Sequence, residues 1–177
     1  MENREKMENV QVGKKESSIV TEFEKQYLTV DIQKAASWFF WIAGLSLINS
    51  LIHYFNGDVY FIVGLAFTQF IDSLVSGLVD NASWIAIIPN IMIVGFFIFI
   101  GYRARNYDKW AFVVGVILYF FDGLLYLYFS SWMAVGFHVF ALVMIGRGFF
   151  KVFQYDKANH QIKGEHISAN TLDNIEI

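Results

Sequence analysis

Three ionisable side chains lie deep inside long apolar stretches of this sequence: Asp72, Asp122 and His138. A fourth, His53, lies nearer the end of its stretch. Such residues are rare in membrane segments and face the protein interior or a water-filled cavity. Gln69, Asn49 and Asn90 are their uncharged companions. An Asp–His pair in a low dielectric holds or passes a proton, and two neighbouring carboxylates share one. The expected chemistry is proton-linked binding or transport of a small ligand in an outward-facing pocket. Asp122 would accept the proton or a cation, His138 would be its partner, and Asp72 a second acid. Gln69 and Asn90 would orient the ligand. The aromatic surroundings (Tyr119, Phe120, Phe121, Tyr126, Phe137, Phe140) suit an apolar or cationic one. The alternative is an accessory or scaffold subunit in which Asp122 and His138 form an interhelical hydrogen bond. Such bonds average under about 1 kcal/mol.

A metalloprotein is a third expectation. His53, His138, Asp72 and Asp122 would make a two-His, two-carboxylate set for Zn, Mn or Fe. No pair of them stands at a ligand spacing within one helix, and there is no HExxH or ExxH. No cofactor is predicted. Cysteine is absent, which excludes a disulfide, a thiolate metal site and a Cys nucleophile. There is no Gly-x-Ser-x-Gly elbow for a hydrolase, and no catalytic residue is assigned. The formal net charge of -3 gives a nucleic-acid partner no electrostatic support.

The elements that must carry these residues follow from composition. The chain is 56% hydrophobic and only 16% charged over 177 residues. Soluble domains average about 45–50% apolar and about 25% charged. Five apolar runs cover residues 36–55, 59–79, 84–102, 110–129 and 132–150. Each is near the roughly 20 residues that cross about 30 Å of hydrocarbon. None alternates like a barrel strand. The expectation is an all-α polytopic helical bundle over residues 35–150 in the lipid bilayer. Polar tails flank it at 1–34 and 151–177. Up to residue 18 the first tail reads as disordered, with a surface helix near 19–28. Short links predict antiparallel neighbours.

Counting from the links places the polar residues in depth. Asp122 is eight residues before Ser130, and His138 is seven after Ser131. Both then lie roughly 10–12 Å from that link, at 1.5 Å per residue. Asp72 and Asn90 stand in the same relation to the link at 80–83. All four are therefore expected in one layer. Gly64, Thr68, Asp72 and Ser76 form a small, polar stripe on the second run, and Asn49 and His53 share a polar face of the first. A homodimer is expected through the Gly64/Thr68 stripe or through exposed aromatics. Pro89, the sole proline, frees the carbonyl of Ile85 and is a candidate hinge beside Asn90.

Arg103, Arg105 and Lys109 put the third link inside the cell, and Arg147 and Lys151 put the C-terminus there too. Arg103, Arg105, Arg147 and Lys151 form a basic collar for lipid headgroups. Five full crossings then leave the N-terminus outside, with Lys25 and Lys34 on the wrong side. In the alternative the N-terminus is inside and 59–79 is re-entrant. A bacterial inner membrane is the expected location. An offset of 72 residues matches Trp38 with Trp110 and Phe40 with Phe112, which five spans would make an inverted repeat.

Overall fold

The computed structural model describes residues 2–55, 64–78 and 83–173. Five helices and no strand are found among them: α1 (Glu2–Tyr54), α2 (Ala66–Leu78), α3 (Ser83–Arg105), α4 (Lys109–Tyr128) and α5 (Trp132–Asp173). Among the described residues, four helices are long and apolar enough to cross a membrane; they are α1, α3, α4 and α5. The chain is thus an all-helical integral membrane protein.

Those four helices form an antiparallel frame. α1 presents Leu28, Ile32, Ala35, Phe39, Ile42 and Ser46 inward, a repeat of three and four residues that makes one buried stripe. Phe39 meets Phe112 of α4 at 6.1 Å, and Trp38 meets Phe140 of α5 edge-on at 5.3 Å. Glycines let the backbones close up. A Cβ on Gly148 would lie 2.2 Å from that of Ala35, and one on Gly115 would lie 2.4 Å from the Phe39 ring. The outside is lined by apolar side chains such as Trp41, Met92, Phe121, Met133 and Phe150, while Ser46, Asn90, Asp122 and His138 are buried. Without water to satisfy them, polar groups gather inside and apolar ones face lipid.

Two links reverse the chain in few residues. At Ser130 the backbone takes φ 56°, and at Tyr107 it takes φ 64°. At the first, Ser131 N–H donates to the Tyr126 carbonyl (3.0 Å) and Ser130 N–H to that of Leu127 (3.1 Å). At the second, Asp108 N–H donates to the Arg103 carbonyl (3.3 Å) and Tyr107 N–H to that of Ala104 (3.1 Å). Both are Schellman endings, which satisfy the last carbonyls of a helix.

Several expectations are corrected. The first tail is not disordered up to residue 18, nor is its helix confined to 19–28. α1 is continuous from Glu2. Its polar start is rich in Glu, Lys and Met, which are good helix formers, and Leu28 and Ile32 are buried. The second tail is likewise helical as far as Asp173, with Val152 and Ala158 buried. Over the described residues α2 covers 13, about 20 Å, against the roughly 30 Å of a bilayer core, and residues 79–82 beyond it lie outside them. Residues 59–63 lie outside the described residues. The N-terminal segment does not lie at the end opposite the C-terminal one. Lys25 donates to Asn159 Oδ1 at 2.9 Å, and Gln33 to the Tyr107 hydroxyl at 3.2 Å. Lys25 therefore sits at the same end as Arg103, Lys109 and Lys151. α1 also runs parallel to α4, since both are antiparallel to α5, so the 72-residue offset relates parallel helices. Finally, Gly64 and Thr68 are buried within the single chain.

Candidate functional site

A helix begins with four N–H groups that have no partner within it. Ordinarily a Ser, Thr, Asp or Asn just before the helix accepts from one of them. α2 has Leu65 in that place, which has no acceptor to offer. Asp122 supplies the cap from α4. Ala66 N–H donates to its Oδ2 and Phe67 N–H to its Oδ1, both at 2.9 Å. Leu65 N–H donates to the Ser46 hydroxyl at 2.7 Å, and that hydroxyl donates to the Ile42 carbonyl at 2.8 Å. The Thr68 hydroxyl closes back on the Leu65 carbonyl at 2.8 Å. A carboxylate at this position also meets the positive end of the helix dipole.

His138 completes the arrangement. Its Nε2 lies 2.9 Å from Asp122 Oδ2, and its Nδ1 lies 2.9 Å from the Ala134 carbonyl oxygen. A carbonyl only accepts, so Nδ1 carries a hydrogen. A hydrogen on either Nε2 or Oδ2 closes the second contact. The pair is enclosed: Asp122 is 5% exposed and His138 1%. Tyr119 stacks on the imidazole at 4.4 Å, and the Tyr126 ring lies 4.9 Å away. Gly123 permits the approach of α4 to α5 here, since a Cβ would come within 3.3 Å of the imidazole carbons. The hydroxyls of Tyr119 and Tyr126 are buried and have no hydrogen-bond partner.

Asp72 and Asn90 form a second pair. Asn90 Nδ2 donates to Asp72 Oδ1 at 2.6 Å and to the Ser50 hydroxyl at 3.2 Å. Both are buried, and the Asn90 Oδ1 has no partner. α3 runs unbroken through the adjacent Pro89.

The expected single layer is therefore two. Asp122 holds the first residue of α2, and Asp72 is six residues further on, about 9 Å along the helix axis. Depth counted from a link assumes that both of its helices start there, whereas α2 begins beside Asp122.

The remaining expected residues fall as follows. Gln69 is on α2 between Ala66 and Asp72. With Ala66, Phe70, Ser73, Leu74, Tyr126, Phe129 and Ser131 it lines a cleft of about 450 Å³ between α2 and the α4–α5 turn. An apolar groove of about 810 Å³ lies on the other side of α2's first turn. Asp122 lines it together with Phe67, Phe96, Phe97 and Leu118. Asn49 is buried, and its amide approaches Gly64 so closely that a Cβ there would lie 2.6 Å away. The side chain of His53 lies outside the described residues.

Three collar residues are tied within the chain. Arg103 pairs with Asp108 at 2.7 Å and covers Trp110, Arg105 lies over Phe40, and Lys151 lies over Tyr27. Arg147 is exposed. Lys109 bonds Asp156. Of the expected metal set, the His53 side chain lies outside the described residues, Asp72 is on Asn90, and no three His, Asp or Glu side chains gather among the described residues.

Sequence reasoning missed the backbone of Leu65–Phe67 as part of the site. Its signal was a helix start without a capping residue. Comparison of the chain with family models, with curated proteins and with solved structures finds no match.

Proposed function

We propose that this protein binds and carries a small molecule across the membrane in step with a proton. In this reading the frame makes four crossings and α2 is a re-entrant half-helix. The basic end faces the cytoplasm of a bacterial cell, and the cleft between α2 and the α4–α5 turn opens outward.

One observation carries the reading. Asp122 holds the first two N–H groups of α2 and lies within hydrogen-bond distance of His138 Nε2. Ala66 is both the residue that Asp122 caps and a wall of the cleft. A ligand that displaces the first turn of α2 thereby disturbs the acceptor of the His138 proton. Conversely, loss of that proton leaves an uncompensated charge where α2 is anchored. Binding and proton release are linked through one carboxylate. Half-helices that start within the bilayer serve similar coupling in secondary transporters.

The scaffold reading keeps one observation in its favour: among the described residues Asp122 is engaged by Ala66 N–H, Phe67 N–H and His138, all groups of the protein itself. In that case a neighbouring subunit or a second copy would meet the exposed aromatic surface.

Proteoliposomes with an internal pH dye separate the two. Compounds that raise the melting temperature of purified protein by 3 °C or more are applied as gradients. The carrier reading expects proton movement in wild type and none in His138→Gln. Binding without proton movement removes the carrier role. Absence of any stabilising compound favours the scaffold.

A further inference from the structure

We infer that the cleft between α2 and the α4–α5 turn takes a small, neutral, ring-shaped molecule bearing a hydrogen-bond acceptor, which the Tyr126 hydroxyl engages. This rests on the reading of the cleft as the ligand site and names its substrate class.

The argument starts from a cost. Tyr126 is 5% exposed, and its hydroxyl has no partner. Leaving a buried donor unmade is costly, so native structures satisfy nearly all of them. Tyr126 also lines the cleft. The hydroxyl itself is closed off beside Asp122, so an acceptor atom entering the cleft would satisfy it once the Tyr126 side chain turns toward the cleft.

The other walls define what carries that acceptor. The polar lining groups are Gln69, Ser73 and Ser131, each able to donate and accept. No lining residue is charged. A cation or anion would leave water for a site without a counter-charge, at heavy cost. Phe70 and Phe129 add flat apolar surface beside the Tyr126 ring. Such surfaces favour another ring, stacked or edge-on. The volume of about 450 Å³ falls within the usual range for a small ligand. The same tyrosine ring lies 4.9 Å from the His138 ring, so an occupant bonded to Tyr126 sits one side chain from the proton-holding pair.

Three probes of one shape and different charge test this: benzamide, benzoate and benzylammonium. Binding to full-length protein in nanodiscs is measured by calorimetry for wild type and Tyr126→Phe, with melting temperature as the control. The expected order is benzamide well ahead of both ions. Tyr126→Phe weakens benzamide about tenfold while melting at the same or a higher temperature, because it removes only an unsatisfied hydroxyl. Preference for either ion overturns the inference. So does a Tyr126→Phe variant that binds benzamide as wild type does, or that melts several degrees lower. Failure of well-folded wild type, judged by its cooperative melting, to bind any of the three also overturns it. The carrier reading fails separately. Benzamide binding without proton movement retains the assigned class and removes the coupling. Proton-linked binding of an ion retains the coupling and removes the class.

Discussion

The frame and α2 are built on different physics. α1, α3, α4 and α5 interlock through large buried side chains, with Phe39, Phe112, Tyr119 and Ile145 fully enclosed. Each such contact is weak, and there are many. α2 is 13 residues long, and its Phe67, Phe70, Leu74 and Leu78 are exposed. Directional bonds secure it: Asp122 and Ser46 at its start, Asn90 at Asp72. A frame resists change at one contact because its neighbours share the load. An element held by a few directional anchors responds to the loss of one. In a membrane protein, that difference separates the part that stays from the part that can move.

The largest effect should come from breaking the frame. Gly148→Val places a side chain where a Cβ alone would lie 2.2 Å from Ala35 and 3.1 Å from Phe112. α1 and α5 must separate along their length, and the expected cost is about 3 kcal/mol or more. Size-exclusion chromatography in detergent should show aggregated or unfolded protein. A monodisperse variant with wild-type melting would mean that α1 and α5 do not approach here.

Asp122→Ala should instead free α2 and spare the frame. Two backbone N–H groups and the His138 ring lose their acceptor. The cost is about 2–3 kcal/mol, limited by how readily α2 leaves its place. Hydrogen exchange should rise at least tenfold over Ala66–Leu78 and stay near wild type in Phe112–Tyr119. Uniform loss of protection would place Asp122 in the frame and dissolve the distinction.

Asp122→Asn is the milder form of the same cut, and it shows what the sequence could and could not convey. Read from sequence, this near-isosteric change costs nothing if the acid is kept for function. The structure argues otherwise. Asn keeps one acceptor oxygen and turns its NH₂ group toward a backbone N–H, that of Ala66 or of Phe67 according to the oxygen it replaces. About 1–2 kcal/mol should be lost, seen as a lower melting temperature and partial loss of α2 protection. Unchanged melting would mean that the Phe67 bond contributes little.

The pairing itself was legible. Asp122 and His138 flank a link so tight that residue counting fixes their depth. The partnership of Asp72 with Asn90 was also within reach of counting. Their placement in one layer was not, because nothing in the apolar run of 59–79 marks where the helix starts. Leu65, Ala66 and Phe67 read as ordinary membrane residues; only the lack of a capping side chain betrays them. The helical start of α1 was illegible for the opposite reason. A mixed-charge segment reads as solvated until its continuation, at Leu28 and Ile32, is seen to pack. The inward turn of Gly64 and Thr68 depends on where α2 begins, so it could not be anticipated either.

The smallest effect should sharpen the contrast from the frame side. Ser130 holds φ 56° at the end of α4. Left-handed backbone costs a residue with a Cβ about 1 kcal/mol, and glycine nothing comparable. Glycine also makes the unfolded chain more flexible, which offsets part of that gain. The net expectation for Ser130→Gly is a stabilisation of about 0.5 kcal/mol. The turn's hydrogen bonds use backbone atoms alone, so they persist: Ser131 N–H to Tyr126, Ser130 N–H to Leu127. The melting temperature should rise by a degree or two. Exchange across Ala66–Leu78 should not change, because Ser130 gives α2 no hydrogen bond among those described. If α2 is instead protected further, the α4–α5 turn and α2 form one unit. The cleft between them would then be part of the frame rather than the seam along which α2 moves.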